Sequence, residues 1–171
     1  AIKAASKVDE NFMNQIKEYV SNGKLEAAGV LCKNKNTPTA RLIGKGISRI
    51  GKPLEDINTA IETAGKLEVY QLEKNVSVLA TIAGVAPMIG FLGTVIGMII
   101  AIHEIANAGG QIDIKMLSDG LYTAMTTTVA GLIVGIIAYI TYNHLVVRTD
   151  KVVYQMEAKS VEFLDLLNEP V

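Results

Sequence analysis

The sequence lacks the features that mark several common classes of protein. Its 171 residues contain no Trp, four Pro and a single cysteine, Cys32. One cysteine excludes an internal disulfide and suits a reducing compartment. The sequence has no metal-ligand cluster, no nucleophile triad and no phosphate-binding loop. It therefore predicts no enzyme, no metal and no cofactor, and nothing in it indicates nucleic-acid binding.

Charge is missing from two long stretches of the chain. Residues 75–102 contain no Asp, Glu, Lys or Arg, and neither do residues 120–147, where His144 is the one ionisable imidazole. A helix of that length covers roughly 40 Å, more than the ~30 Å of a hydrocarbon core. We predict a transmembrane hairpin over residues 75–147, with spans at about 79–106 and 118–145.

The charged residues that the chain does have lie mostly in the two flanks. Residues 1–74 carry twelve Lys and Arg and residues 148–171 carry three, whereas the connection between the spans carries only Lys115. Lys and Arg accumulate on the cytoplasmic side of membrane proteins. We therefore expect a cytoplasmic region over residues 1–74 and a cytoplasmic tail over residues 148–171.

Both flanks have the pattern of helices. Apolar spacing and breakers predict short helices over 1–20, 23–33 and 38–50, and then one helix from about Pro53 to Asn107. A turn over 107–111 and a cap at Asp113 lead into a last helix that continues through the second span into the tail. The predicted fold class is all-α, with long helices that extend from the bilayer into a helical cytoplasmic region.

Small residues recur along one side of each span. In the first span they are Ala83, Pro87, Gly90, Thr94, Gly97 and Ala101, and in the second, at the same six offsets, Ala124, Thr128, Gly131, Gly135, Ala138 and Tyr142. Such stripes let two helices approach closely in lipid, so packing alone could explain them. Alternatively, Thr94 and Thr128 line a hydrated path through the bilayer. Because neither span has a central carboxylate, a proton on that path would need one from another subunit.

The segments PMIGFLGTVIGMI (87–99) and GLYTAMTTTVAGLIVGIIAYITYN (120–143) resemble the ExbB/TolQ/MotA proton-channel family, and its ExbB branch most closely. The resemblance implies a multi-pass protein of the bacterial inner membrane. It also implies a homopentameric ring around single-span ExbD chains, each with one protonatable Asp, that works with a TonB-like protein. The family has a further span before its cytoplasmic domain, which we expect upstream of Ala1.

Under this resemblance Thr94 and Thr128 match the pore-facing threonines of the family. The candidate residues that line the proton path or face the partner are Thr94, Thr127, Thr128, Pro87, Gly90, Gly97, Ala124, Gly131 and Gly135. One position departs from the family, because Thr123 stands where ExbB and TolQ members often have Glu.

The predicted function is that of a proton-channel scaffold subunit, which uses the proton motive force to energise TonB-dependent outer-membrane transport. Two alternatives stay open. One is a TolQ-like or gliding-type stator subunit, and the other is a structural membrane scaffold that conducts no protons.

Overall fold

The structure is a computed structural model that describes residues 10–107 and 114–168. All regular elements in these ranges are helices: α1 Glu10–Ser21, α2 Leu25–Lys35, α3 Pro38–Ile47, α4 Leu54–Asn107 and α5 Ile114–Asn168. The all-α prediction is confirmed. The chain divides into two compact units, the first comprising residues 1–74 and 146–171 and the second residues 75–145.

The ends of the short helices are fixed by residues with special backbone conformations. Gly23 has φ +68°, and the N–H of Lys24 donates to the carbonyl of Tyr19 at 2.8 Å, which caps the last carbonyls of α1. At the end of α2, Asn36 adopts the left-handed conformation with φ 46°. Thr37 before Pro38 is extended, as expected, and its hydroxyl accepts a bond from the Ala40 N–H at 3.2 Å.

Three predicted boundaries are displaced by two or three residues. The second helix runs over Leu25–Lys35 instead of 23–33, and α3 ends at Ile47 instead of residue 50. After Ile47 the N–H of Arg49 donates to the carbonyl of Gly46, a tight i→i−3 turn that ends the α-helical ladder. The predicted connecting turn and the Asp113 cap lie outside the described residues.

The first unit is built around a core to which all five helices contribute. The largest side chains with no exposed surface are Ile16, Ile43 and Phe163, on α1, α3 and α5, and Ile61 of α4 is 2% exposed. Gly46 lets α3 approach this core, because a Cβ there would lie 2.7 Å from Phe163 Cε1. Short helices that are individually too marginal to persist in water are thus held by shared apolar burial.

An ion pair adds a polar contact at the margin of that core. Glu68 of α4 is 7% exposed, and its carboxylate accepts from Arg41 Nε of α3 at 2.6 Å and from a second guanidinium nitrogen. This bidentate geometry is the strong form of an Arg–carboxylate pair. The Glu68 hydrogen bond raises the pKa of Arg41 above its ordinary value, so the guanidinium stays charged.

The second unit contains the segments of α4 and α5 that are long and apolar enough to cross a membrane. Large apolar side chains cover its surface, among them Met88 at 70% and Phe91 at 67% exposure. An exposed apolar surface of this extent is unfavourable in water and favourable in lipid. The chain is therefore an all-α membrane protein. Helix α4 continues through Pro87 without a break.

Candidate functional site

The two small-residue stripes face each other across the hairpin formed by α4 and α5. A Cβ built on Gly131 would lie 2.8 Å from the Gly90 Cα and 2.7 Å from the Ala86 carbonyl oxygen. Ordinary carbon contacts are longer than 3.4 Å, so the two backbones touch at this level. The close approach that the matching stripes predict is confirmed.

The same packing continues towards both ends of the hairpin. A Cβ on Gly97 would lie 2.9 Å from Ala124 Cβ, and a Cβ on Gly135 would lie 2.6 Å from Pro87 Cγ. Gly135 is buried, and Ala124 is 1% exposed. Six of the nine candidate residues, Pro87, Gly90, Gly97, Ala124, Gly131 and Gly135, are therefore occupied in packing one helix of this chain against the other.

Thr94 and Thr128 meet at the middle of this contact in a reciprocal arrangement. The Thr94 hydroxyl donates to the carbonyl of Ala124 at 3.1 Å, and the Thr128 hydroxyl donates to the carbonyl of Gly90 at 3.2 Å. Ala124 lies four residues before Thr128 on its own helix, and Gly90 lies four residues before Thr94. The two hydroxyls are also in contact with each other. We call these four residues the threonine clasp.

The geometry of the clasp distinguishes it from the common bonding pattern of a threonine in a helix. A helical threonine usually donates to the carbonyl four residues earlier on its own helix. Thr94 is 3.4 Å from that acceptor, the Gly90 carbonyl, and closer to Ala124 on the other helix. The clasp therefore links the helices, and both threonines keep part of their surface exposed.

Thr127 lies beside the clasp and is exposed. Its hydroxyl donates at 2.7 Å to the carbonyl of Ala124, which also accepts from Thr94. A Cβ on Gly93 would lie 2.5 Å from the Thr127 hydroxyl oxygen, so Gly93 makes room for this side chain. The Ala124 carbonyl thus accepts hydrogen bonds from the half-buried Thr94 and from the exposed Thr127.

Two glycines of this contact are missing from the candidates that the sequence predicted. Gly93 accommodates Thr127, and Gly120 packs against Ala101, where a Cβ would lie 2.5 Å from the alanine Cβ. Both are small residues next to the stripes. Gly93 lies roughly 80° from the middle of the first stripe, so its only signal was its residue type. Gly120 lies one turn before Ala124 on the same side of its helix, so the period of the second stripe, extended by one step, would have found it.

The carboxylates and histidines among the described residues of the second unit lie near the limits of its two apolar segments. Among its described residues the carboxylates are Glu104 and Asp119, and both are exposed. His103 is hydrogen-bonded to Asn107, with 3.1 Å between the two nitrogens, and His144 is exposed at the other end. Within ranges 10–107 and 114–168 no group of three His, Cys, Asp or Glu residues could hold a metal ion. The clasp can accept and donate hydrogen bonds, but it has no group that ionises near neutral pH.

Comparison with protein families decides the class of this membrane protein. The model of the MotA/TolQ/ExbB proton channel family matches residues 34–158. The chain belongs to the MotA/TolQ/ExbB proton channel family. The match covers both spans, the clasp and about half of the first unit. This is a family of channel and scaffold proteins of membranes, and the resemblance stated from the sequence motifs is confirmed.

Individual relatives agree with the family assignment. A putative biopolymer transport protein ExbB homolog of Methanothermobacter thermautotrophicus is 29% identical over 135 residues, which are 79% of this chain and 47% of that protein. The Tol-Pal system protein TolQ of Haemophilus influenzae is 29% identical over 89% of this chain and 69% of its own length. The biopolymer transport protein ExbB of Helicobacter pylori is 38% identical over 46% of this chain and 54% of its own. This member of the family therefore spans about half to two thirds of the length of these relatives.

Proposed function

We propose that this chain is a scaffold subunit of a proton-driven motor in the bacterial inner membrane. In this proposal it forms a homopentameric ring around a single-span ExbD-like subunit that carries a protonatable Asp. Downhill proton flow through the complex moves a TonB-like protein and so energises outer-membrane transport. The names of the Methanothermobacter and Helicobacter relatives, both biopolymer transport proteins, support this role.

The threonine clasp is the observation that carries the proposal. It places two hydroxyls, with Thr127 beside them, at the centre of two segments that contain no charged side chain. Hydroxyls can hydrogen-bond a water molecule or a carboxylic acid, but they cannot store a proton at neutral pH. A complete proton path therefore requires a carboxylate from a partner, which we propose approaches Thr127 and the exposed edges of Thr94 and Thr128.

The energy available is sufficient for mechanical work. One elementary charge that crosses a potential of 100 mV releases about 2.3 kcal/mol. Protonation of the partner's Asp removes its charge, which lets its helix turn past the apolar wall of the ring. In this topology the spans form the wall, and residues 1–74 and 148–171 lie in the cytoplasm, as the distribution of Lys and Arg indicates.

A TolQ-like stator is the second candidate. The TolQ relative matches 89% of this chain, a larger share than the Helicobacter ExbB relative does. The two candidates share the proton path and differ in the protein that the motor moves. Purification of the chain with its bound partners distinguishes them, because a TonB-like protein supports the first role and a Tol-type partner supports the second. A gliding-type partner would indicate the third stator role.

Substitution of the clasp threonines tests the proton path. Thr94→Val and Thr128→Val keep the side-chain shape and remove the hydroxyl, so we expect assembly to persist and proton-dependent uptake to fall at least tenfold. Thr141→Val is the matched control, because Thr141 is exposed and bonds only its own helix, at Ile137. Full uptake by an assembled double variant would refute the proposed path and leave a packing role, that of a scaffold without conduction.

A further inference from the structure

Two grooves border α4 within the first unit, and their charges differ. The acidic groove, between α4 and α5, has a volume of about 550 Å³. Its floor includes the buried Ile61 and Met156. Its rim carries the carboxylates of Glu62, Glu73 and Glu157 against one ammonium, that of Lys66, and all four are exposed.

The basic groove, between α3 and α4, has a volume of about 710 Å³. Lys45, in the last turn of α3, and Arg49, in the turn that follows that helix, both line it, and we call these two side chains the cationic ridge. The groove also contains Asp56 and Glu68, but the carboxylate of Glu68 is bound by Arg41. Of the two carboxylates, this leaves Asp56 to face the two cations of the ridge, so the net charge of the groove is positive.

The two grooves lie on opposite flanks of α4. Glu62 lines the acidic groove and Leu67 lines the basic one, and residues five positions apart on a helix point roughly 140° from each other. Both flanks carry large exposed apolar side chains, Tyr70 at 67% on the acidic side and Leu67 at 61% on the basic side. Two different neighbours could therefore contact α4 at the same time.

We propose that these flanks are the two halves of a head-to-tail contact between copies of this chain. The cationic ridge of Lys45 and Arg49 in one copy seats in the acidic groove of the next, and Tyr70 and Leu67 supply apolar anchors. A contact between two different, complementary surfaces repeats from copy to copy and closes into a ring when its rotation permits. The inference rests on the homo-oligomer of the proposed function and assigns residues to its cytoplasmic interface.

Charge complementarity is the reason to choose a second copy as the occupant. The acidic groove needs a partner that presents cations beside an apolar side chain, and the opposite flank of the same chain has that composition. Tyrosine, which borders the acidic groove, is also enriched at protein interfaces. Because the two grooves lie on opposite flanks of α4, a two-fold contact through the acidic flank alone would bring one acidic groove against another, which like-charge repulsion disfavours.

Disulfide crosslinking in the membrane tests the contact. Two differently tagged full-length copies carry Glu62→Cys and Lys45→Cys. The native Cys32 is 2% exposed and its thiol pKa is raised to about 11, so the parent chain supplies an unreactive background. We expect a crosslinked dimer when the two variants are mixed and none when either is alone. Dimers of Glu62→Cys with itself, or crosslinks only to another protein, would overturn the proposal.

Charge exchange provides a second test that does not depend on thiol geometry. Glu62→Lys with Glu73→Lys should remove most of the assembled oligomer, and so should Lys45→Glu with Arg49→Glu. All four substitutions in one chain should restore it. Glu18→Lys, at an exposed carboxylate on α1, is the matched control and should leave assembly unchanged. Failure of the fourfold variant to recover would contradict the contact.

Native mass spectrometry separates failure of this contact from failure of the proposed function. An intact oligomer without the 62–45 crosslink would overturn the interface and leave the ring and the clasp in place. A chain that is monomeric in its native membrane would overturn the ring, and the interface with it.

Discussion

Gly131→Ala is the substitution for which the structure predicts the sharpest effect on the hairpin. The added methyl group would lie 2.7 Å from the Ala86 carbonyl oxygen and 2.8 Å from the Gly90 Cα. Both contacts are with backbone, which cannot rotate away as a flexible side chain could. The helices must therefore separate by roughly 0.6 to 1 Å to restore ordinary contact distances.

The energetic cost follows from that separation. Over-packing of a close contact costs about 1–3 kcal/mol. The clasp bonds of 3.1 and 3.2 Å would lengthen beyond the range of a good hydrogen bond, at a cost of about 0.6 kcal/mol each. The higher helix propensity of Ala stabilises the variant by at most about 1 kcal/mol, which offsets part of this cost. We expect the free energy of unfolding to fall by roughly 1–3 kcal/mol.

Gly84→Ala is the matched control on the partner helix. A Cβ at Gly84 meets nothing within 4 Å, so this substitution gains helix propensity without a clash. The two variants should differ by roughly 2–4 kcal/mol when the purified chain is unfolded by denaturing detergent and followed by circular dichroism. Equal stabilities would refute the direct backbone contact between the helices.

Two further predictions concern the first unit. Gly46→Ala places a methyl group 2.7 Å from Phe163 and should lower the melting temperature. Gly29→Ala is the control and should not lower it, because Gly29 has open space around it. Equal melting temperatures of the two variants would contradict the packing at Gly46. Burial raises the pKa of the Cys32 thiol from about 9 to about 11, so the unfolded chain loses this proton first as the pH rises. The free energy of unfolding should therefore fall by roughly 2 kcal/mol more between pH 9 and pH 11 in the parent than in Cys32→Ala, and parallel pH profiles would argue against it.

The hairpin was predictable because its signals are local and strong. Two uncharged, apolar stretches of this length are typical of transmembrane helices. The matching stripes of small residues specify which sides of the two helices meet. The breaker at Gly51-Lys52-Pro53 likewise predicted the start of α4 to within one residue. These features depend on residue type and period, which a sequence contains.

The details of the clasp were not predictable in the same way. Whether Thr94 bonds its own helix or the other depends on a few tenths of an ångström in the separation of the helices. That separation is set by Gly90 and Gly131 together, one on each helix, and these residues are distant from each other in the sequence. The ends of α2 and α3 also depend on capping hydrogen bonds at the helix ends. Alternative bonds there are close in energy, so the observed boundaries differ from the predicted ones by two or three residues.

Proton flux across liposomes tests the central claim most directly. The chain would be reconstituted with a single-span partner that carries an Asp in its span, under an imposed potential, with internal pH followed by a fluorescent dye. We predict flux with the Asp partner, and loss of flux when that Asp is changed to Asn or when Thr94→Val and Thr128→Val are combined. Flux of the same size from the chain alone would contradict the claim that the partner's carboxylate completes the path.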